Sequence, residues 1–272
     1  MRRTYTEAAL YLGPAVLLSV AILALPLGYV LYTSLYDQHF TLQAYGDLLS
    51  STLFERSLVT TIEVSVTAAA ASLLLGYPVA LHLARQPARR RALYMILVLL
   101  PFWTSVLVKS YAFTVILDRD GLINTTLSVI AGQKIVLPMI FNRFGVIVGM
   151  TNYLVPFVVL PVLASLLAID PALRRAAEVM GAKPARVFFS ITLPLSVPGV
   201  MAALSTTTVM SLGFFVIPAL LGGPHDMMMA NLVDFFTRQT LDWHAASAIG
   251  MILLAVVVVV SFAATRIRRV VA

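Results

Sequence analysis

The stretch from Ile169 to Pro198, IDPALRRAAEVMGAKPARVFFSITLPLSVP, decides the fold. It is short, amphipathic and positively charged, inside a chain that is otherwise mostly membrane-grade hydrophobic. Asp170 is a good N-cap and Pro171 sits where a first-turn proline is tolerated, so a helix is expected to begin there. Gly181 supplies a stop after about ten residues, and Pro184 opens a second helix of its own. Two short helices joined at a glycine make a bent knob. On the first, Leu173, Ala176, Ala177 and Met180 follow 3–4 spacing and form one small-surfaced apolar face, with Arg174, Arg175 and Glu178 on the other. Periodicity alone leaves two readings open, a helix lying on a membrane surface and a projection grasped by a partner protein.

Outward from the knob, composition sets the class. With 272 residues, 60% of them hydrophobic and 11% charged, the chain has too little polar surface for a soluble domain. The expected fold class is all-α, a polytopic membrane protein of six transmembrane helices in one domain, 1–272. Hydrophobic runs place the spans at about 8–35, 57–84, 92–117, 143–168, 195–220 and 245–264. The first run exceeds the core of a signal peptide, about 7–15 residues, so it is read as a retained span. The third is expected to kink at Pro101. Between 118 and 142 the piece Ile123 to Ala131 is too short to cross about 30 Å of hydrocarbon and is expected to lie along the interface.

Charge position gives orientation. Arg2, Arg3, the four arginines of 85–91, Arg174, Arg175, Lys183, Arg186 and the tail arginines Arg266, Arg268 and Arg269 put 13 of 19 basic residues on one side. The opposite connections hold five basic residues and eight aspartates or glutamates, Asp37 among them. Both termini and a 169–186 loop are therefore expected in the cytoplasm. The net charge of +7 is explained by topology, and no nucleic acid is expected as a partner.

The chemistry-bearing residues are sparse. There are no cysteines, and His39, His82, His225 and His244 show no metal spacing, so neither a metal site nor a catalytic residue is assigned. No G-x-x-x-x-G-K-[ST] phosphate loop occurs, so energy must come from an ion gradient or from a partner. A proton- or sodium-coupled carrier usually keeps buried carboxylates in its spans. Only Glu63 qualifies here, one turn from a connection where it reaches water; with Lys109 it makes a poor ion relay. A partner-driven machine is favoured over a gradient-driven carrier.

The order of residues in the knob then adds a resemblance. Ala176-Ala177, Gly181 four residues later, and Ile191-Thr-Leu193-Pro194 after nine intervening residues resemble the EAA loop of binding-protein-dependent ABC importer permeases. Arg175 stands where that consensus has glutamate, and Glu178 lies one turn on. Gly76-Tyr-Pro-Val-Ala80, Pro101-Phe-Trp-Thr104 with a basic residue five further on, Gly121-Leu-Ile-Asn124 and Tyr153-Leu-Val-Pro156 are similar to the polyamine branch, the first permease subunit of spermidine/putrescine uptake systems.

The resemblance implies a type I importer permease in a bacterial inner membrane. It implies a second, non-identical permease, two copies of an ABC ATPase that bind ATP and magnesium, and a periplasmic or extracytoplasmic solute-binding protein. This chain itself would carry no cofactor. The coupling residues implied are Arg175, Ala176, Ala177, Glu178, Gly181, Ala182, Pro184, Leu193 and Pro194. The solute implied is a polyamine such as putrescine or spermidine, with an amino acid or its derivative as the alternative. From position in the spans, Trp103, Lys109, Tyr111, Asn152, Tyr153, Phe214 and Phe215 are candidates for the substrate path. Aromatic rings there suit an alkyl-ammonium through cation–π contact, although such a residue is more often ordinary helix packing.

Overall fold

The computed structural model describes residues 2–36 and 39–271, with side chains described at 13, 14, 16–36 and 39–266. Asp37 and the side chains of Arg2, Arg3, Arg268 and Arg269, which entered the charge count, lie outside the described residues. The first half of the chain forms α1 (Arg2–Leu35), α2 (Gln43–Ser50), α3 (Thr52–Ala84), α4 (Ala88–Trp103), α5 (Val106–Leu117) and α6 (Leu122–Ala131). The second half forms α7 (Arg143–Ala168), α8 (Pro171–Val179), α9 (Pro184–Val187), a π-helical turn (Phe188–Thr192), α10 (Leu193–Leu212), α11 (Val216–Leu221), α12 (Met229–Arg238) and α13 (Trp243–Val271).

Small residues decide which helices pack. Ala68, Ala69, Ser72, Gly76 and Ala80 recur on one face of α3 and are buried. A Cβ on Gly76 would come within 2.8 Å of Val158 on α7, so the two helices meet only because the position lacks a side chain. On α10 Ser196, Gly199, Ala203, Thr207 and Ser211 are buried, again along one face. A Cβ on Gly199 would come within 2.7 Å of the Pro161 carbonyl. The result is a close-packed triple of α3, α7 and α10. One half of its core gathers Val146, Met150 and Leu154 against Ile217 and Leu221, and the other gathers Val158, Val162 and Leu166 against Ala80 and Leu83. Outside this triple, α1 lies along α13.

Two expected spans take a different form. The third, expected over 92–117 with a kink at Pro101, is two helices. Backbone that is extended at Thr104 and Ser105 separates them, and Ala88–Trp103 meets Val106–Ala131 at 88°. The 16 residues of α4 rise about 24 Å and the 12 of α5 about 18 Å, each less than the hydrocarbon thickness. Taken as one broken span, the pair makes a sixth crossing beside the five helices, among the described residues, that are long and apolar enough to cross alone. The second correction concerns the helix that Pro184 opens, which is continuous with the fifth span. Helix runs from Pro184 to Leu212, through the π turn, and the fifth span then breaks at Gly213–Phe215.

The π turn has a local cause. Pro194 has no N–H to give to Ser190, and its ring crowds that carbonyl. The turn widens just before it, and the Leu193 amide reaches back five residues to the Phe188 carbonyl.

Candidate functional site

The 169–186 loop is built from its caps inward. The Asp170 carboxylate accepts a hydrogen bond from the Ala172 amide at 2.8 Å, and Pro171 occupies the first turn. At the other end Gly181 has a φ of +79°, a left-handed conformation that glycine adopts without steric cost. The Gly181 amide donates to Glu178 at 3.0 Å and the Ala182 amide to Ala177 at 3.0 Å, the paired hydrogen bonds of a Schellman closure. Pro184 then starts the next helix, and Leu193 and Pro194 lie just beyond the π turn.

The faces of α8 differ from the expected pattern. Ala177 alone is buried. Leu173, expected on a shared apolar face, is half exposed, and Met180 stands 80% exposed beside Val179 at 88%. The helix tip thus presents two large apolar side chains to the outside of the chain. Arg174 pairs with Glu178 at 2.9 Å across one turn. That pair occupies Glu178, so it does not stand free as a replacement for the missing glutamate. Arg175 is exposed and makes no ion pair among the described residues. Ala176 is exposed and Ala182 half buried.

The candidates for a substrate path divide into two groups. Lys109 of α5 holds its ammonium 5.4 Å from the centroid of the Tyr153 ring on α7. Tyr153 in turn lies 4.7 Å from Phe214, at the break after α10, and Asn152 lines the same small void as Lys109 and Tyr153. Two rings that sequence reasoning missed extend the group. Phe157 lies 5.6 Å from Tyr153, and Phe102 lies 5.5 Å from Phe157. The i, i+4 spacing of Tyr153 and Phe157 on one helix was the available signal. Trp103, Tyr111 and Phe215 do not join this group through a ring contact. Trp103 and Tyr111 are 86% and 68% exposed, and the Phe215 carbonyl accepts from Asn231 at 3.1 Å.

One further constellation lies at the opposite end of α7 from the loop. Glu63, read from sequence as a lone carboxylate near water, hydrogen-bonds the Arg143 guanidinium at 2.5 Å. Arg143 also donates to Asp226 and to the Thr60 hydroxyl.

Residues 72–271 match the family of binding-protein-dependent transport system inner membrane components. The chain belongs to that family. The match takes in the capped loop, the aromatic group and the whole α7–α10 packing. Relatives include the spermidine/putrescine transport system permease protein PotB of Escherichia coli, 31% identical over 214 residues, 79% of this chain and 78% of the relative. The protein of the same name from Haemophilus influenzae is 28% identical over 238 residues, 86% of this chain and 83% of the relative. Among solved structures, a bacterial alginate ABC transporter in complex with an alginate pentasaccharide-bound periplasmic protein superposes with a TM-score of 0.77. It is 23% identical and covers 99% of this chain and 96% of its own. The inward-facing MetNI methionine ABC transporter gives 0.59 at 20% identity, over 81% of this chain and 96% of its own. Membership makes the chain a multi-pass membrane permease subunit of an ABC importer, not an enzyme, and removes the gradient-driven carrier from consideration.

Proposed function

We propose that this permease moves a polyamine, such as putrescine or spermidine, inward across a bacterial inner membrane by alternating access. The observation that carries the reading is the 31% identity to a spermidine/putrescine permease over 79% of the chain. The ring group Tyr153–Phe157–Phe214 supports it, because aromatic faces hold alkyl-ammonium groups without requiring a carboxylate. Trp103, Tyr111 and Phe215, exposed in the single chain, complete the path against a second, non-identical permease, which also contributes acidic groups.

The termini and the 169–186 loop face the cytoplasm, as the positive-inside distribution favours. There the exposed Val179 and Met180, with Arg175, Ala176 and the Gly181 turn, seat in an ATPase subunit. Two ATPase copies bind ATP with magnesium and draw two such loops together. A solute-binding protein delivers its load on the other side. ATP and the loaded binding protein shift the equilibrium because each binds one state better than the other.

The test is uptake of radiolabelled putrescine and spermidine by proteoliposomes carrying the whole complex. Saturable accumulation of either supports the polyamine reading. A second reading, an amino acid or its derivative, is favoured by one observation: Lys109 puts a fixed positive charge in the ring group. Accumulation of a zwitterion with no polyamine uptake would replace the first reading by the second.

A further inference from the structure

Arg143 is an unlikely residue for its position. It opens α7, and a cation at a helix N-terminus is disfavoured by the macrodipole. Its placement is explained by three acceptors from two other segments. Glu63 and Thr60 come from α3, and Asp226 from the connection between α11 and α12, at 3.3 Å. The Asp226 amide donates to the Gly223 carbonyl at 3.0 Å, so the carboxylate sits on a closed turn. Across the 26 residues of α7, about 39 Å, this cluster is at the far end from the 169–186 loop.

We propose that Arg143 is an ionic latch. It fastens the turn at 222–226 to the packed pair of α3 and α7, and it releases once in each transport cycle, while Met228 beyond the turn stays in the core. The inference rests on the alternating-access reading above. Three features favour a latch over a fixed brace. The Arg143 and Glu63 side chains are 37% and 49% exposed, so that half-solvated pair is weak and readily exchanged with water, while Asp226, at 14%, is the more enclosed partner. The fastened segment has no regular helix, so its release requires no helix to unwind. The neighbouring α11 is held separately, by Ile217 and Leu221 against the Gly149 position of α7, and stays packed when the ion pairs part.

The absence of cysteine from the chain allows a direct test. The double variant Glu63→Cys, Asp226→Cys is assembled with cysteine-free partner subunits and reconstituted. It is then bridged with a reducible bis-methanethiosulfonate linker, with each single variant treated in parallel. The latch predicts that ATP-driven uptake falls to the ATP-free background on bridging and returns on reduction, while the single variants are unaffected. Uptake that continues with the bridge formed would make the cluster a fixed brace and overturn the proposal. Failure of the unbridged parental complex to take up any solute would instead count against the transport reading. Independently, Arg143→Gln is expected to raise ATP hydrolysis in the absence of binding protein, since the closed arrangement loses its restraint. Unchanged basal hydrolysis in that variant contradicts the latch.

Discussion

The hydroxyls of Tyr77 and Ser196 lie 2.9 Å apart, tying α3 to α10 just beyond Leu193-Pro194. The Tyr77 ring also meets Phe188 edge-on, with centroids 6.2 Å apart. One side chain therefore touches both sides of the π turn. Removing its hydroxyl in Tyr77→Phe leaves Ser196 still donating to the Leu193 carbonyl at 2.9 Å. The expected loss is about 1 kcal/mol of stability, read as a lower melting temperature in detergent. A loosened link from the coupling loop to α10 is expected to weaken ATPase stimulation as well.

Gly181 carries the sharpest requirement in the loop. Its φ of +79° is outside the range of proline and costly for alanine, about 1 kcal/mol. Gly181→Ala is expected to reduce ATP-driven uptake in part. Gly181→Pro, or a bulky residue at buried Ala177, is expected to abolish ATPase coupling while membrane insertion is intact. Uptake and membrane fractionation, measured side by side, check both halves.

The triple of α3, α7 and α10 depends on missing side chains. Gly199→Ala places a methyl within 2.7 Å of the Pro161 carbonyl and 2.5 Å of the Ser165 Cβ. Overpacking of this kind costs about 1–3 kcal/mol. Gly250, in α13, has nothing within 4 Å of the same added atom. Denaturant unfolding of the isolated chain is expected to show loss of stability for the first substitution and none for Gly250→Ala.

The ring group is tested by Tyr153→Leu. It removes the face that holds Lys109 and joins Phe157 to Phe214. A lost cation–π contact, on the order of 1 kcal/mol, corresponds to several-fold slower uptake of a cationic solute. ATPase stimulation by the loaded binding protein is expected to persist, because the loop is untouched. Equal loss of both activities would place Tyr153 in the scaffold instead.

How far each of these features was legible in the sequence depends on how local its cause is. Asp170, Pro171 and Gly181 mark the two ends of α8 because caps are set within a few residues, and the helix is found over Pro171–Val179. Pro184 misleads for the same reason: it is a good helix start, but whether helix continues past Pro194 depends on a π turn that no local preference announces. The bend at Thr104–Ser105 lies three residues past the proline that signals it. Arg143 and Glu63 are 80 positions apart, and Arg143 and Asp226 are 83 apart. Nothing in sequence spacing relates such residues; only the packing of α3 and of α11 on α7 brings them together. The same holds for Phe214 beside Tyr153, whereas Trp103 and Tyr111, chosen by position, are exposed in the single chain and make no ring contact with that group.

The capped loop around Gly181 is expected to harness this permease to a separate ATPase. This is tested by solute accumulation in proteoliposomes holding both permeases and the loaded binding protein, with and without the ATPase subunits and ATP. Accumulation is expected only when ATPase and ATP are both present, and none for Gly181→Pro even then. Accumulation without the ATPase subunits, or undiminished accumulation by Gly181→Pro, would contradict it.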